Sequence, residues 1–227
     1  MTWNELKPLI EDDLLSRQLK DPSIRLRALD NIEALLKVHM PELLNDILAI
    51  CNIEKNEFKM YLQFIVDSKT QKIVSAEALS RWETPNEGIV GPIGYIGHME
   101  MTGLISKHDY YMFELACRQL EKWHNTKHND ILISCNFTRL TLSEEDCIDR
   151  LKSISQKYDF DKSKLAIEIT EDAIERDWET AKKNVRLCKE LGFRVYLDDL
   201  GSGYTSLVNL CDYPIDIIKI DRHVLLK

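Results

Sequence analysis

From about residue 59 onward, apolar runs alternate with amphipathic helical stretches along the chain. The runs are mostly continuous and rich in Ile, Val and Tyr, which is typical of parallel strands buried on both faces. They cover residues 60–66, 72–79, 131–137, 164–170, 194–200 and 216–221. The helical stretches lie between several of these runs, at about residues 106–125, 143–158 and 173–191. This order of strand, helix and strand predicts an α/β fold with a parallel sheet.

Residues 1 to about 55 have a different pattern, which contains no strand-like run. Ile24, Ala28 and Ile32 recur there at helical spacing, as on the buried face of an amphipathic helix. We therefore predict a helical N-terminal extension, or a linker from a preceding domain, over residues 1–55. The α/β domain is predicted over residues 56–227.

The chain is acidic, with 38 Asp and Glu against 30 Lys and Arg among 227 residues and a formal net charge of −8. Because proteins that bind nucleic acid present a basic surface, this charge predicts no DNA partner. The six cysteines form no CxxC pair, which favours free thiols in a reducing compartment and so a cytoplasmic protein. No run approaches the ~20 apolar residues of a membrane span, so no membrane segment is predicted.

Polar or ionisable side chains stand at the end of nearly every predicted strand. Because parallel strands bring their carboxyl ends to one edge of a barrel or sheet, these side chains are expected to converge there. The alternative is a set of unrelated helix caps and surface ion pairs. The residues concerned are Glu77, Asn136, Glu168, Asp198 with Asp199, and Lys219 with Asp221.

Four carboxylates in one pocket would repel one another unless a cation neutralised them. A set of oxygen ligands suits Mg²⁺ or Mn²⁺ rather than zinc. The adjacent Asp198 and Asp199 would allow one carboxylate to bridge two ions while the other binds only the second. Two ions ~3.5–4 Å apart are the usual apparatus of in-line displacement at phosphorus. The pattern therefore predicts a two-ion site for phosphodiester chemistry.

Two cations and a glycine-rich loop accompany this set. Arg81 follows Glu77 by four residues, and its planar fork suits phosphate oxygens, although a surface arginine is an equal alternative. Lys219 lies within an apolar strand, which favours an acid-lined pocket over an edge-strand position. The segment 201–203 (GSG) would let the chain bend over the metals, or is simply a flexible turn.

Five segments carry a resemblance to a known family, in the same order along the chain. They are residues 76–82 (AEALSRW), 135–137 (CNF), 168–171 (EITE), 198–203 (DDLGSG) and 218–221 (IKID). Together they resemble the motifs of EAL domains, the phosphodiesterases of cyclic di-GMP, over about residues 58–226. The resemblance implies a TIM-type (β/α)₈ barrel, with its first strand antiparallel. It also implies hydrolysis of cyclic di-GMP to linear pGpG with two Mg²⁺ or Mn²⁺ ions in bacterial second-messenger signalling.

The resemblance also assigns the metal ligands by position. Glu77, Asn136, Glu168 and Asp198 resemble the ligands of the first ion. Asp198 and Asp199 resemble those of the second.

Further roles follow from the same resemblance. Lys219 resembles the lysine near the nucleophilic water, and Glu171 resembles the glutamate that steadies the loop after the Asp pair and contributes to dimer contacts. Gln63 and Arg81 resemble substrate contacts. The resemblance further implies a homodimer, while residues 1–55 leave open whether a sensory or cyclase-like domain precedes them in a longer parent protein.

The sequence departs from the family motifs at several places, none of which removes a ligand. The family's Tyr-Gln-Pro appears as residues 62–64 (LQF), and Leu200 replaces a phenylalanine. Six strands are predicted before Lys227 where the barrel needs eight, so we expect a barrel that is incomplete at its C-terminus. The family's second-metal glutamate and guanine-contacting glutamine cannot then be placed. A catalytically inactive cyclic di-GMP receptor or protein-interaction domain is therefore the alternative function.

Overall fold

The computed structural model of the chain describes residues 57–84, 88–170, 179–201 and 213–225. The predicted N-terminal extension and Glu171 lie outside these residues. The division between residues 1–55 and 56–227 therefore stays a prediction.

The described residues contain seven strands and six helices. The strands are β1 (Phe58–Val66), β2 (Ile73–Thr84), β3 (Gly88–Val90), β4 (Leu132–Asn136), β5 (Leu165–Thr170), β6 (Arg194–Leu200) and β7 (Ile217–Ile220). The helices are α1 (Ile96–Thr102), α2 (Ile105–Trp123), α3 (Arg139–Leu142), α4 (Cys147–Ser155), α5 (Glu179–Glu190) and α6 (Arg222–Leu225). Short 3₁₀ turns span Pro92–Gly94 and Lys162–Lys164.

The strands form one sheet in the order β1-β2-β4-β5-β6-β7, with β3 paired to β2. Each neighbouring pair from β2 through β7 is parallel, which confirms the predicted α/β class. Strands β1 and β7 end this sheet among the described residues, so the barrel is incomplete, as expected. The parallel register places the carboxyl ends of five strands at one edge.

The contacts of the chain divide into two compact units. The larger one comprises residues 59–81 and the described residues from 105 onward. Its core is formed by the central strands, which are buried along almost their whole length, and by α2, α4 and α5. The Phe113 ring packs edge-on against Phe137 at 5.8 Å and Phe193 at 5.6 Å between centroids. Full burial of such side chains supplies roughly 1.5–3 kcal/mol each.

The described residues of the smaller unit are 57–58, 82–84 and 88–104. Aromatic packing organises it: the Phe58 ring stacks on Trp82 at 5.6 Å and meets Tyr95 edge-on at 5.2 Å. The Trp82 indole N–H donates a hydrogen bond to Glu57 Oε2 at 3.2 Å. Trp82 is therefore held in this unit both by aromatic packing and by a hydrogen bond.

One predicted helix is shorter than expected. The helix predicted over residues 143–158 corresponds to α4, which begins at Cys147 and ends at Ser155, and a separate short helix, α3, ends just before it at Leu142. The reason is local hydrogen bonding. The Asn184 side chain of α5 donates to the carbonyls of Leu142 and Glu144, at 2.9 Å each, which satisfies acceptors at the end of α3.

Four of the six cysteines lie within the described ranges, and all four are free and buried: Cys117, Cys135, Cys147 and Cys188. This agrees with the predicted free thiols. Among the helices described here, none combines the length and apolar character needed to cross a bilayer.

Candidate metal centre

The strand register brings the predicted ligands to one edge of the sheet. Glu77 lies opposite Ser134 in the β2–β4 pair, and Asn136 lies opposite Glu168 in the β4–β5 pair. Asp198 lies opposite Thr170 in the β5–β6 pair. Glu77 lies near the end of the part of β2 that pairs with β4, and the other residues lie near the carboxyl ends of their strands. Their side chains therefore meet where sites of such folds are built.

Three carboxylates form the centre of the site. Glu77, Glu168 and Asp198 each present an oxygen, and these three atoms all lie within 4.8 Å of one another. Glu168 is only 1% exposed, whereas the other two are half-buried. Asn136 adjoins this cluster, since its Nδ2 donates a hydrogen bond to Glu77 Oε1 at 3.0 Å. We call these four residues the ligand cluster.

Lys219 of β7 points into the ligand cluster. Its Nζ donates to Glu77 Oε2 at 2.8 Å and also to Glu168 Oε1. The Lys219 side chain is 20% exposed. The lysine is therefore held in an acid-lined pocket, which is the first of the two positions considered for it.

The protonation of this pair is set by burial and charge. Burial lowers the pKa of Lys219, but hydrogen bonds to Glu168 and Glu77 and the charges of those carboxylates outweigh it, so that the pKa is raised. Burial raises the pKa of Glu168 to about 7, against the opposing hydrogen bond and charge of Lys219. The lysine is thus a stable ammonium ion, and the glutamate is a carboxylate that binds a proton readily.

The ligand cluster fits a hard divalent cation. Its donors are three carboxylates and an amide, which are the oxygen ligands that Mg²⁺ and Mn²⁺ take. Among the described residues, no group donates a hydrogen bond to the buried Glu168 Oε2. A cation would satisfy this oxygen and relieve the repulsion between the carboxylates.

Asp199 lies beside the cluster but is not part of the three-carboxylate group. It is exposed and has a left-handed backbone, with φ of 57°. Partial burial and the charges of Asp198 and Asp221 raise its pKa, and Lys219 partly offsets the rise. The charged groups of the site, Lys219 among them, therefore also act on the exposed Asp199.

The two predicted substrate contacts lie on the first two strands. Gln63 is an exposed residue of β1. Arg81 is half-buried near the end of β2, where its Nη1 donates to the Ser80 carbonyl at 2.7 Å.

A family comparison decides the identity of this fold. The model of the EAL domain family matches residues 45–227. The chain belongs to the EAL domain family. It is 34% identical over 170 residues to the signaling protein YkoW of Bacillus subtilis, covering 75% of this chain and 21% of that protein. It is 32% identical over 151 residues to the cyclic di-GMP phosphodiesterase PdeR of Escherichia coli, covering 66% of this chain and 23% of that protein.

A solved structure gives the same result for the fold of this EAL domain. The phosphodiesterase PaMucR, in complex with c-di-GMP, superposes with a TM-score of 0.74 at 28% identity. The match covers 82% of this chain and 74% of that one. The present EAL domain thus spans less than a quarter of the two curated relatives but most of this solved domain.

Sequence patterns missed one set of polar residues beside the ligand cluster. His108 and Asp109 of α2 are each only 4% exposed, and their hydrogen-bond partners lie about 30 residues away in the sequence. The one available signal was a His-Asp pair inside a stretch with an otherwise helical apolar pattern. His108 has no matching ligand pattern near it in the sequence, so the sequence assigns it no role.

Proposed function

We propose that this EAL domain hydrolyses one phosphodiester bond of cyclic di-GMP in a metal-dependent reaction that yields linear pGpG. The observation that carries the proposal is the convergence of Glu77, Glu168 and Asp198 with Lys219 at the carboxyl ends of parallel strands. The names of PdeR and PaMucR, which state phosphodiesterase activity and c-di-GMP binding for those proteins, support it. The reaction would serve bacterial second-messenger signalling.

The ligand cluster would hold the first Mg²⁺ or Mn²⁺ ion, and Asp198 with Asp199 would hold the second. When bound, such ions activate water and stabilise the charge on the phosphate and the leaving oxygen. The chain's own residues fix the geometry. Glu168 is anchored by burial, and the Asn136 amide nitrogen is committed to Glu77, so the Asn136 oxygen is the atom offered to a cation.

Lys219 supplies a fixed positive charge beside the reacting phosphate. Its ammonium group already contacts two ligands and would orient the attacking water or stabilise the phosphate oxygens. In the reaction a water oxygen bonds to phosphorus, the bond from phosphorus to one ribose oxygen breaks, and that oxygen takes up a proton.

Arg81 and Gln63 would bind substrate. The Arg81 guanidinium carries a planar set of donors that suits two phosphate oxygens. Glu171 would steady the loop that follows the Asp pair and would contribute to a homodimer contact. A cytoplasmic location and a preceding sensory or cyclase-like domain in a longer parent protein complete the proposal.

The decisive experiment is chromatography of nucleotides after incubation with cyclic di-GMP and Mn²⁺. We expect pGpG to form with a chain extended to a complete barrel and not with its Glu77→Gln variant, which lacks one charge of the ligand cluster. Binding of cyclic di-GMP without pGpG would support the alternative, a receptor or interaction domain. Equal pGpG formation by both proteins would contradict the assigned site.

A further inference from the structure

A buried polar network joins α2 to the strand that carries Asn136. His108 Nε2 and Ser80 Oγ are hydrogen-bonded at 2.7 Å. The Asp109 carboxylate accepts hydrogen bonds from Thr138, which follows β4. We call Ser80, His108, Asp109, Thr138 and Thr141 the α2 network. All except Thr138 are buried, so water cannot replace the hydrogen bonds among them.

Asp109 is the acceptor at the centre of this network. Its Oδ2 accepts three hydrogen bonds, from Thr138 N at 2.9 Å, Thr138 Oγ1 at 3.0 Å and Thr141 Oγ1 at 2.6 Å. A buried carboxylate with three donors is held firmly, because each lost bond leaves a desolvated charge. The carboxylate therefore fixes both the backbone and the side chain of Thr138.

Thr138 stands two residues after Asn136, at the start of α3. The intervening Phe137 N–H donates to the Glu168 carbonyl at 2.8 Å. The chain after Asn136 is thus held on one side by β5 and on the other by Asp109. The Asn136 side chain is itself exposed, so surrounding packing does not orient it, and its place depends on this backbone and on Glu77.

We propose that Asp109 is a positioning residue for the metal centre. By anchoring Thr138, it fixes the backbone that aims the Asn136 amide at the ligand cluster. Asp109 does not contact the cation or the substrate. The proposal rests on the proposed function, because it assigns Asn136 to the first ion.

The first test measures Mn²⁺ affinity by calorimetry. Asp109→Asn keeps the side-chain shape but removes the negative charge that strengthens the three hydrogen bonds at this position. Since changes of residues behind metal ligands cost about 10–100-fold in affinity, we expect a loss of about 10-fold. In a protein that already carries Asn136→Ala, Asp109→Asn should lower Mn²⁺ affinity by less than about twofold, because its effect on the metal passes through Asn136.

The second test needs no metal. The NMR signals of the Asn136 side-chain amide protons are assigned by their absence from the spectrum of Asn136→Ala. In the unaltered protein, their chemical shift should be that of an amide that donates a hydrogen bond to Glu77. Asp109→Asn should move that shift toward the value of a free amide. If the unaltered protein binds no Mn²⁺, the proposed function fails, while this measurement still decides whether Asp109 positions Asn136.

Asn184→Ala is the matched control, since Asn184 is another buried polar residue with two hydrogen bonds. It should lower the melting temperature and leave Mn²⁺ affinity and the Asn136 shift unchanged. If Asp109→Asn behaves in the same way, or weakens Mn²⁺ equally with and without Asn136, the proposal is overturned. Should Asp109→Asn not fold, Thr138→Val replaces it, with Thr138→Ser expected to restore affinity.

Discussion

Lys219 and Glu168 depend on each other, because both are charged and largely withdrawn from water. Glu168 is 1% exposed, and the lysine supplies the positive charge that opposes its tendency to bind a proton. Removing one member of a buried pair leaves an uncompensated charge, which commonly costs about 3–5 kcal/mol. The effect of either residue on catalysis must therefore be separated from its effect on stability.

In a complete barrel, Lys219→Met is expected to lower turnover far more than substrate binding. Methionine keeps much of the side-chain length but removes the charge that would act on the water or the phosphate. We expect kcat to fall by about 100-fold or more and KM to change by less than about threefold. Steady-state pGpG formation measures both constants, with circular dichroism as the control for folding. Activity equal to that of the unaltered protein would exclude Lys219 from the reaction.

In metal-free protein, Glu168 should make stability fall as pH rises. Folding raises its pKa from 4.5 to about 7, so the folded state binds the proton more tightly than the unfolded state. The contribution of Glu168 to the free energy of unfolding is fully present below the pKa that it has in the unfolded state. This contribution is lost as pH rises through the pKa that it has in the folded state. Relative to Glu168→Gln, we expect the unfolding free energy to fall by roughly 1–3 kcal/mol over this interval. Urea unfolding in EDTA measures it, and a constant difference would contradict the raised pKa.

At the scale of elements, α6 and the residue before it lie against Leu200 and Gly201, which follow the Asp pair of β6. The Asp221 N–H, just before α6, donates to the Leu200 carbonyl at 3.2 Å. Gly201 has φ of +99°, and a Cβ at this position would clash with Val224 Cγ2. This glycine thus permits both an unusual backbone and a close approach of α6.

Gly201→Ala should destabilise the protein by about 1–3 kcal/mol, because alanine resists this φ and meets Val224. Adding Val224→Ala should restore only the part due to the contact. Urea unfolding of both variants separates the two causes. Full recovery in the double variant would show that backbone strain has no role, and an unchanged single variant would contradict the close approach.

The sequence allowed the strands other than β3, and the polar residues near their ends, to be predicted because both are local signals. The apolar run before Asn136 and the acids that follow similar runs mark strand ends without knowledge of the neighbours. The α2 network could not be predicted, since Asp109 and Thr138 are 29 residues apart in the sequence and form no motif. Strand β2 also extends to Thr84, five residues beyond the predicted end, because its last residues pair with β3 although most of them are polar.

At the scale of the whole molecule, the parallel sheet makes the ligand cluster a property of the folded state. Its members come from four strands, β2, β4, β5 and β6, and meet only when those strands are paired. A ligand that binds only the folded state raises its stability by mass action, by about 2.7 kcal/mol at 100 times Kd.

Mn²⁺ should therefore raise the melting temperature, and Asp198→Asn should weaken this effect most, because Asp198 is proposed to contact both ions. Thermal unfolding with and without Mn²⁺ measures the shift. Asp161→Asn is the control: Asp161 caps the turn before β5, accepting from Ser163 N at 2.9 Å, and is not part of the ligand cluster. An equal shift in both variants would contradict the assigned ligands.

The hydrogen bond between Lys219 and Glu77 joins positions 142 residues apart in the sequence. Contacts of such high sequence separation form slowly, because the entropy of closing the intervening chain is lost before they contribute. The lysine cannot reach its partners until β7 has joined a sheet that already contains β2, β4, β5 and β6. The charge pair is therefore among the last features to form during folding, and until then the acidic side chains remain hydrated.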